Sequence, residues 1–250
     1  MKTMRLMHDT EIVTERVDAL VIAGWTGRDR AGVDHHIREL EALGISPPST
    51  VPLFYRVSAA LLAPAAHVEA VGTQSSGEAE PMLVQVGGRL WLGVASDHTD
   101  RALEAHSVAL SKQICAKPCA AHLWPLDEAL ATRLDALELR SWIADDVAGD
   151  DWTLYQEGTL GAIRPLIELL EASPVNALSQ GTDTSTDTST DTGTNAGTSA
   201  PADTVAMLCG TLPAIGGVRP AGAFRMELRD AEQGRSLQHA YGVRVLPAVD

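Results

Sequence analysis

The sequence is poor in cysteine, in aromatic residues and in long apolar runs. It has 3 cysteines in 250 residues, and only 4% of the residues are Phe, Trp or Tyr. A low, odd number of cysteines argues against a secreted disulfide scaffold. Cys115 and Cys119 have no second pair to complete a zinc site, so we interpret both as buried or inert. No apolar run approaches the roughly 20 residues that a membrane-spanning helix needs.

Basic residues are also scarce. The chain has 19 Lys and Arg against 33 Asp and Glu, which gives a formal net charge of -14. An acidic surface repels nucleic-acid phosphates and anionic membranes, so neither is expected as a partner. Charges of both signs run through residues 1–16, which predicts no targeting segment and a cytoplasmic location. The acidic balance does not exclude a cation-dependent enzyme, because a bound metal sets the local field.

The predicted elements are mixed in order. Residues 18–29 are typical of a buried strand that runs into a turn, and residues 53–57 of a second strand. The segment "VQVGGRLWLGV" predicts a hairpin with Gly87-Gly88 as its two-residue turn. Apolar spacing predicts one helix over residues 30–44 and another over residues 100–118. Neither a regular βα alternation nor an all-helical pattern emerges, so the fold class is α+β with a strand-rich core.

A low-complexity segment interrupts the second half of the chain. Residues 180–204 repeat Thr, Asp, Ser and Gly with almost no apolar side chain, which predicts a disordered insertion. Asp183, Asp187 and Asp191 recur as in a calcium-binding repeat, but the regular glycine turns and apolar positions of such repeats are missing. We expect a single domain over residues 1–250, interrupted at about 180–204.

Two carboxylates stand one residue apart in "SSGEAEPMLV". In an extended segment Glu78 and Glu80 point to the same face, with Cα atoms roughly 6–7 Å apart. Their oxygens suit a hard divalent cation such as Mg²⁺, Mn²⁺ or Ca²⁺. A solvated strand edge produces the same pattern and is the commoner explanation for the pair alone.

Other polar residues could join such a site. Asp97 follows the apolar strand "LWLGVA", although a helix N-cap is the alternative role, for which Asp100 is better placed. His36 and Glu39 share one face of the first predicted helix, as in a histidine general base or in an ordinary surface pair. Lys112 could neutralise a substrate carboxylate. The turns "QEGT" and "CGTL" could offer hydroxyls and backbone N–H groups to anionic oxygens.

Taken in order, these pieces resemble the catalytic domain of the fumarylacetoacetate hydrolase superfamily. The resemblance covers residues 20–245 and rests on short motifs in a fixed order. They are the His36-x-x-Glu39 helix, "VPLFYRVS", Glu78-x-Glu80, "SDHTDR" with Asp97, Thr99 and Arg101, Lys112, "YQEGT" and "CGT".

The resemblance implies a mixed β-roll with a central metal. Glu78, Glu80 and Asp97 would hold Mg²⁺, or Mn²⁺ or Ca²⁺, and His36 held by Glu39 would activate a water. Four further residues would contact a small 2-oxo or 1,3-dicarbonyl acid. Lys112 and Arg101 would balance the charge of its carboxylate, and Thr159 and Thr211 would contact its oxygens. The implied reaction is hydrolysis of a C–C bond through a metal-bound enolate, and a homodimer is expected.

Alternatives stay open within the same fold. A decarboxylase or a keto–enol isomerase would keep the metal triad without needing the His36–Glu39 pair. A non-catalytic small-molecule-binding relative is a third possibility, because the chain departs from the family pattern. The step from Glu80 to Asp97 is shorter than usual, "WTGRD" lacks the usual Asn-Tyr, and Leu212 replaces a proline. These departures indicate a divergent branch whose substrate the resemblance does not identify.

Overall fold

The computed structural model describes residues 3–8, 11–42, 47–179 and 204–248. The side chains of residues 3–16, 36, 39, 40 and 42 are outside this description. The low-complexity segment predicted at residues 180–204 also falls outside it, apart from Thr204, which opens a strand.

The described residues form seventeen strands, six α-helices and three short 3₁₀ segments. The strands are β1 Thr3–His8, β2 Glu11–Arg16, β3 Ala19–Gly24, β4 Leu53–Val57, β5 Leu62–Ala63, β6 His67–Val71, β7 Ser75–Ser76, β8 Ala79–Val86, β9 Arg89–Ser96, β10 Thr99–Asp100, β11 Lys117–Pro118, β12 Trp124–Pro125, β13 Glu138–Ala144, β14 Thr153–Thr159, β15 Thr204–Leu208, β16 Ala223–Asp230 and β17 Arg235–Leu246. The helices are α1 Arg30–Ala42, α2 Arg101–Glu104, α3 Val108–Gln113, α4 Glu128–Ala131, α5 Leu166–Ala172 and α6 Val175–Ser179, and the 3₁₀ segments are Ala59–Leu61, Leu134–Ala136 and Leu160–Ala162. No helix in this part of the chain has the length and apolar character to cross a bilayer.

Two sheets form the body of the described fold. The six-stranded sheet runs in the order β12-β9-β8-β15-β3-β4, and the five-stranded sheet in the order β14-β13-β16-β17-β6. In the first sheet, β15 lies parallel to β3 and antiparallel to β8, and all five of its residues are buried. A strand in the middle of a sheet with both faces covered needs such a continuous apolar run.

The main core lies between the two sheets. One cluster of buried side chains combines Val94 and Met207 of the first sheet with Leu139, Met226 and Leu228 of the second. In the second sheet, buried and more exposed residues alternate along β13 and β16, as expected for a sheet with one solvated face. The mixed arrangement confirms the predicted strand-rich α+β class.

The predicted hairpin is confirmed. Gly87 and Gly88 have φ values of 51° and 78°, and they join β8 to β9 in a tight turn. Two consecutive positive φ angles match the type I′ turn that favours glycine. The predicted strand at residues 53–57 is β4, and the first predicted helix begins at Arg30 as α1.

The single helix predicted over residues 100–118 is wrong. Two short helices replace it, and Lys117–Pro118 forms β11 beside β5. The break occurs at Ser107, whose backbone is extended (φ -160°, ψ 108°) and whose Oγ accepts from Leu110 N at 3.3 Å. A serine that caps a new helix competes with the helical hydrogen bonds that apolar spacing predicts.

Candidate functional site

The β8–β9 hairpin brings three carboxylates to one face of a sheet. Ala79 pairs with Ser96, and the register continues to the next pair, where Asp97 N donates to Glu78 O at 3.0 Å. Directly opposed residues of an antiparallel pair share a face, as do residues two apart on one strand. Glu78, Glu80 and Asp97 therefore project from the same side of the hairpin.

Among the described contacts of the three carboxylates, Glu80 is the one without a hydrogen bond to a cationic side chain. It is 3% exposed, and Gly210 N donates to its Oε2 at 2.7 Å. Burial raises the pKa of Glu80 well above its usual range, and the nearby charge of Asp97 raises it further. Gly210 has φ 95°, and a Cβ there would lie 1.7 Å from Thr26 Oγ1, so only glycine fits this position.

Asp97 is held by two ammonium groups. Lys112 Nζ donates to its Oδ2, and Lys117 Nζ lies 3.1 Å from its Oδ1. Burial opposes the charge of Asp97, but the two lysines outweigh it and lower the pKa of this carboxyl well below its usual range. Lys117 is fully buried and also donates to the backbone oxygen of His98 at 2.5 Å. Burial lowers the pKa of Lys117.

Glu78 is paired with an arginine that has three partners. Arg101 Nη2 lies 2.9 Å from Glu78 Oε2, and its Nη1 lies 2.8 Å from Glu104 Oε2. The same guanidinium donates from Nε to Ser76 Oγ at 2.6 Å. Asp100, one residue earlier, accepts from Leu103 N at 2.8 Å and caps α2, which leaves Asp97 free of the capping role.

Thr211 is attached to the hairpin, whereas Thr159 is not brought to it. Thr211 Oγ1 donates to Ala79 O at 2.7 Å and accepts from Gln156 Nε2 at 2.6 Å. Gln156 is buried in β14 and its Oε1 accepts from Ala79 N at 2.9 Å. Thr159 lies three residues further along β14, on the opposite face of the strand from Gln156, and is exposed.

His36 and Glu39 lie in α1, three residues apart along its backbone. Their side chains are outside the described residues. The proposed pairing of the imidazole with the carboxylate therefore stays a prediction from helical spacing.

Sequence reasoning missed a buried polar network beside the carboxylates. His98 Nε2 lies 2.9 Å from Ser75 Oγ, and its Nδ1 lies 3.1 Å from Tyr241 OH, which in turn lies 2.8 Å from Ser96 Oγ. Burial lowers the pKa of His98 to about 3, with a further contribution from the charge of Lys117. His98 is therefore a neutral, fixed hydrogen-bonding group at neutral pH.

The donor chemistry of this face suits a hard divalent cation. Three carboxylates share the face, and oxygen ligands of this kind are the ones that such a cation prefers. Glu80, which is almost fully buried, has no cationic partner among its described hydrogen bonds. Within the described ranges, however, no three His, Cys, Asp or Glu side chains are arranged as a metal-ligand set. Lys112 and Lys117 already bind both oxygens of Asp97, so a cation there requires at least one of these contacts to change.

A second acidic region lies on the loop between β13 and β14. It borders a cavity of about 440 Å³ lined by residues of this loop and of the segment that precedes β16. Asp145, Asp146 and Asp151 are exposed there, and Arg219 lines the same cavity. These carboxylates are solvated, unlike those of the hairpin.

Solved structures share this fold at low sequence identity. A structure of Cg1458 is 13% identical, with a TM-score of 0.52 over 96% of this chain and 85% of that one. A structure of 2-keto-3-deoxyarabinonate dehydratase is 12% identical, with a TM-score of 0.58 over 97% and 78%. A protein of Mycobacterium abscessus is 15% identical, with a TM-score of 0.52 over 95% and 82%. Such likeness shows the fold alone, and it agrees with the predicted strand-rich α+β fold class.

Sequence comparison gives the family. No curated protein matches the chain. The family described as "Protein of unknown function (DUF2848)" matches residues 23–196 and 191–241. These ranges include α1, the β8–β9 hairpin and the strand that leads to Gly210. The chain belongs to the DUF2848 family.

Proposed function

We propose that the protein is a divalent-metal-dependent enzyme that hydrolyses a C–C bond of a 2-oxo or 1,3-dicarbonyl carboxylic acid. The observation that carries this proposal is the face of the β8–β9 hairpin, where Glu78, Glu80 and Asp97 stand together. Three basic side chains surround this face: Arg101, Lys112 and Lys117. Carboxylates beside basic groups suit a cation and an anionic substrate in one site.

The three carboxylates would hold Mg²⁺, Mn²⁺ or Ca²⁺. A bound cation supplies a Lewis acid that polarises a substrate carbonyl and stabilises negative charge that develops on it. Gly210 N fixes one oxygen of Glu80, and its 2.7 Å hydrogen bond sets the orientation of this carboxylate. The structure of 2-keto-3-deoxy-D-arabinonate dehydratase in complex with magnesium and 2,5-dioxopentanoate has the same fold, which supports this assignment.

The basic side chains would bind the carboxylate of the substrate. Lys112 lies at the end of a flexible stem, and Arg101 presents a planar guanidinium beside Glu78. Thr211 is held by Gln156 and lies beside Ala79 at the start of β8. Its hydroxyl oxygen would contact a further polar group of the substrate. These residues bind and orient the substrate, and they balance its charge.

The attacking water would lose its proton to His36, with Glu39 orienting the imidazole. This role comes from the helical spacing and from the resemblance to the fumarylacetoacetate hydrolase superfamily. It distinguishes hydrolysis from the other reactions that pass through an enolate, since only hydrolysis adds water across the broken bond.

A lyase is the second candidate. Loss of water from a 2-oxo acid, or of carbon dioxide from a carboxyl group β to the oxo carbon, also develops enolate charge, and it needs no activated water. The observation in its favour is the enclosed carboxylate and lysine cluster, in which Lys117 has a lowered pKa and lies against Asp97. Burial favours the neutral form of Lys117, and a lysine that can release its proton suits general acid–base catalysis. The dehydratase of the same fold acts in this reaction class.

One substrate panel tests both candidates. The purified protein is incubated with Mg²⁺ or Mn²⁺ and with acylpyruvates, 2-keto-3-deoxy sugar acids or oxaloacetate, and products are followed by NMR. Hydrolysis predicts cleavage of acylpyruvates that Glu80→Gln abolishes and that added chelator prevents. No turnover of any compound, together with no thermal stabilisation by millimolar metal, would contradict the metal-dependent enzyme.

A pair of histidine variants then separates the reactions. His36→Ala should lower hydrolysis by at least 100-fold, because general-base catalysis contributes about 10²–10⁴-fold. His35→Ala, on the exposed neighbouring position of α1, is the matched control. Full activity in His36→Ala would exclude the proposed water activation and favour the lyase.

A further inference from the structure

Lys112 pairs with one of the three carboxylates of the hairpin face, Asp97. It belongs to α3, is 7% exposed and donates from Nζ to Asp97 Oδ2. Its pKa is raised although burial opposes its charge, because Asp97 and Glu78 act on it together and Glu104 adds to them. Lys112 in turn stabilises the charge of Glu80. One buried ammonium therefore occupies an oxygen of Asp97, one of the three carboxylates of the hairpin face.

The neighbouring cations do not share this position. Lys117 divides its donors between Asp97 and the backbone oxygen of His98, and it is fully buried. Arg101 is fixed between Glu78, Glu104 and Ser76. Lys112 has one described side-chain hydrogen bond, to Asp97, and otherwise lies 5.8 Å from the centre of the Tyr55 ring.

We propose that the Lys112 ammonium is a tethered cation that occupies the place of a divalent ion, so that a metal binds the three carboxylates only by displacing it. This inference rests on the proposed function in one respect, namely that the carboxylates accept a metal.

Electrostatics makes the two cations exclusive. A dication and an ammonium cannot both occupy the same carboxylate oxygen, and their repulsion there is strong where water is excluded. The ion pair between Lys112 and Asp97 must therefore break before Asp97 can bind the metal, and the loss of this pair lowers the apparent metal affinity. Lys117 can remain on Asp97, because it approaches the other carboxylate oxygen. The displaced ammonium becomes available to the carboxylate of a substrate.

The test measures Mn²⁺ affinity by calorimetry in four proteins. Lys112→Met removes the charge and keeps most of the volume of the side chain, whereas Lys112→Arg keeps the charge. Arg89→Met makes the same change in net charge at the exposed far end of the same hairpin. We expect Lys112→Met to bind Mn²⁺ at least tenfold more tightly than the wild type, with Lys112→Arg and Arg89→Met within threefold of it. Equal or weaker binding by Lys112→Met would overturn the inference.

A labelling experiment on the wild type removes any dependence on the folding of a variant. Acetic anhydride is applied with and without saturating Mn²⁺, and modified lysines are quantified by mass spectrometry. Displacement predicts that Mn²⁺ increases acetylation of Lys112 severalfold, while Lys117, which is 0% exposed, stays protected. No increase at Lys112 would contradict displacement.

These results separate the inference from the proposed function. Binding by Lys112→Met but not by the wild type would support the tethered cation and contradict metal dependence of the natural chain. Equal binding by both would support the metal site and overturn the role of Lys112. Absence of binding by both would overturn the two proposals together.

Discussion

Two acidic regions of this molecule look alike in sequence and differ completely in their surroundings. The hairpin region contains Glu80 and Asp97, which are 3% and 1% exposed. The loop between β13 and β14 contains Asp145, Asp146 and Asp151, all exposed to solvent beside a cavity. Asp97 and Asp145 each come directly after a strand, β9 and β13 respectively. The difference shows that burial, and not the density of carboxylates, distinguishes the candidate site.

Burial also explains why the two regions need different partners. A carboxylate removed from water must be paired, and Asp97 has two lysines for this purpose. In the loop, Asp146 only accepts from the nearby Ala148 N at 2.9 Å, which shapes its own turn. Removing a carboxylate charge from the hairpin region should therefore lower the free energy of unfolding strongly, whereas the same change in the loop should leave it almost unchanged.

The largest difference is expected between Asp97→Asn and Asp151→Asn. The first substitution leaves two buried ammonium groups without their counter-charge, which should lower the free energy of unfolding by about 3–5 kcal/mol. The second affects an exposed side chain and should change it by less than about 0.5 kcal/mol. Urea denaturation of both variants measures the contrast. Similar losses in the two variants would show that Asp97 is not the buried, paired group described above.

A second contrast compares two glycines with positive φ. Gly210 and Gly217 have φ values of 95° and 83°, but a Cβ at Gly217 meets no atom within 4 Å. Gly217→Ala should therefore cost only the backbone strain, about 1–2 kcal/mol. Gly210→Ala adds a collision with Thr26 and should cost about 2–4 kcal/mol. Thermal unfolding gives both values, and an equal cost would mean that Thr26 moves away freely.

The third contrast is in pH dependence, measured with a chelator present. The folded-state pKa of Glu80 is raised above its ordinary value of 4.5. As pH rises from 4.5 to the raised value, the unfolded chain loses a proton that the folded protein keeps, so the free energy of unfolding falls. Glu80→Gln lacks this loss. In this pH range the free energy of unfolding of Glu80→Gln, minus that of the wild type, should increase by up to about 1.4 kcal/mol per pH unit.

The control for this titration is Glu171→Gln, at an exposed position of α5. A constant difference between Glu80→Gln and the wild type from pH 4.5 to pH 8 would argue against a buried Glu80 with a raised pKa.

The smallest effect is expected at an exposed ion pair. Arg28 Nη1 lies 2.7 Å from Asp135 Oδ2, and the two side chains are 38% and 58% exposed. Solvent screens such a pair, so Asp135→Asn should lower the free energy of unfolding by only about 0.2–1 kcal/mol. The loss should shrink further in 1 M salt. A loss as large as that of Asp97→Asn would remove the distinction between buried and exposed pairs.

Local patterns predicted the scaffold of the site well. The two glycines and the alternation around them were sufficient to predict the β8–β9 hairpin, and the Glu78-x-Glu80 spacing predicted a shared face. Such features depend on neighbours in the chain, because strand period and turn type are local properties.

Long-range contacts explain what the sequence did not reveal. The predicted helix included Lys117, but α3 ends at Gln113, and Lys117 lies beyond it in β11, where its ammonium reaches Asp97. Gln156, not Thr159, meets Thr211, because strand alternation and tertiary pairing decide which polar residue faces inward. Nothing in residue spacing indicates that His98 contacts Tyr241.

The Gly87-Gly88 turn fixes the strand register that places the three carboxylates on one face. Counting along the register from Val86 and Arg89 beside the turn leads without a gap to the facing pair Ala79 and Ser96, and the next step reaches Glu78 and Asp97. A one-residue slip would turn every side chain of one arm to the opposite face. Insertion of a single residue at the turn should therefore separate Asp97 from Glu78 and Glu80, although the turn lies a whole strand length away from these carboxylates.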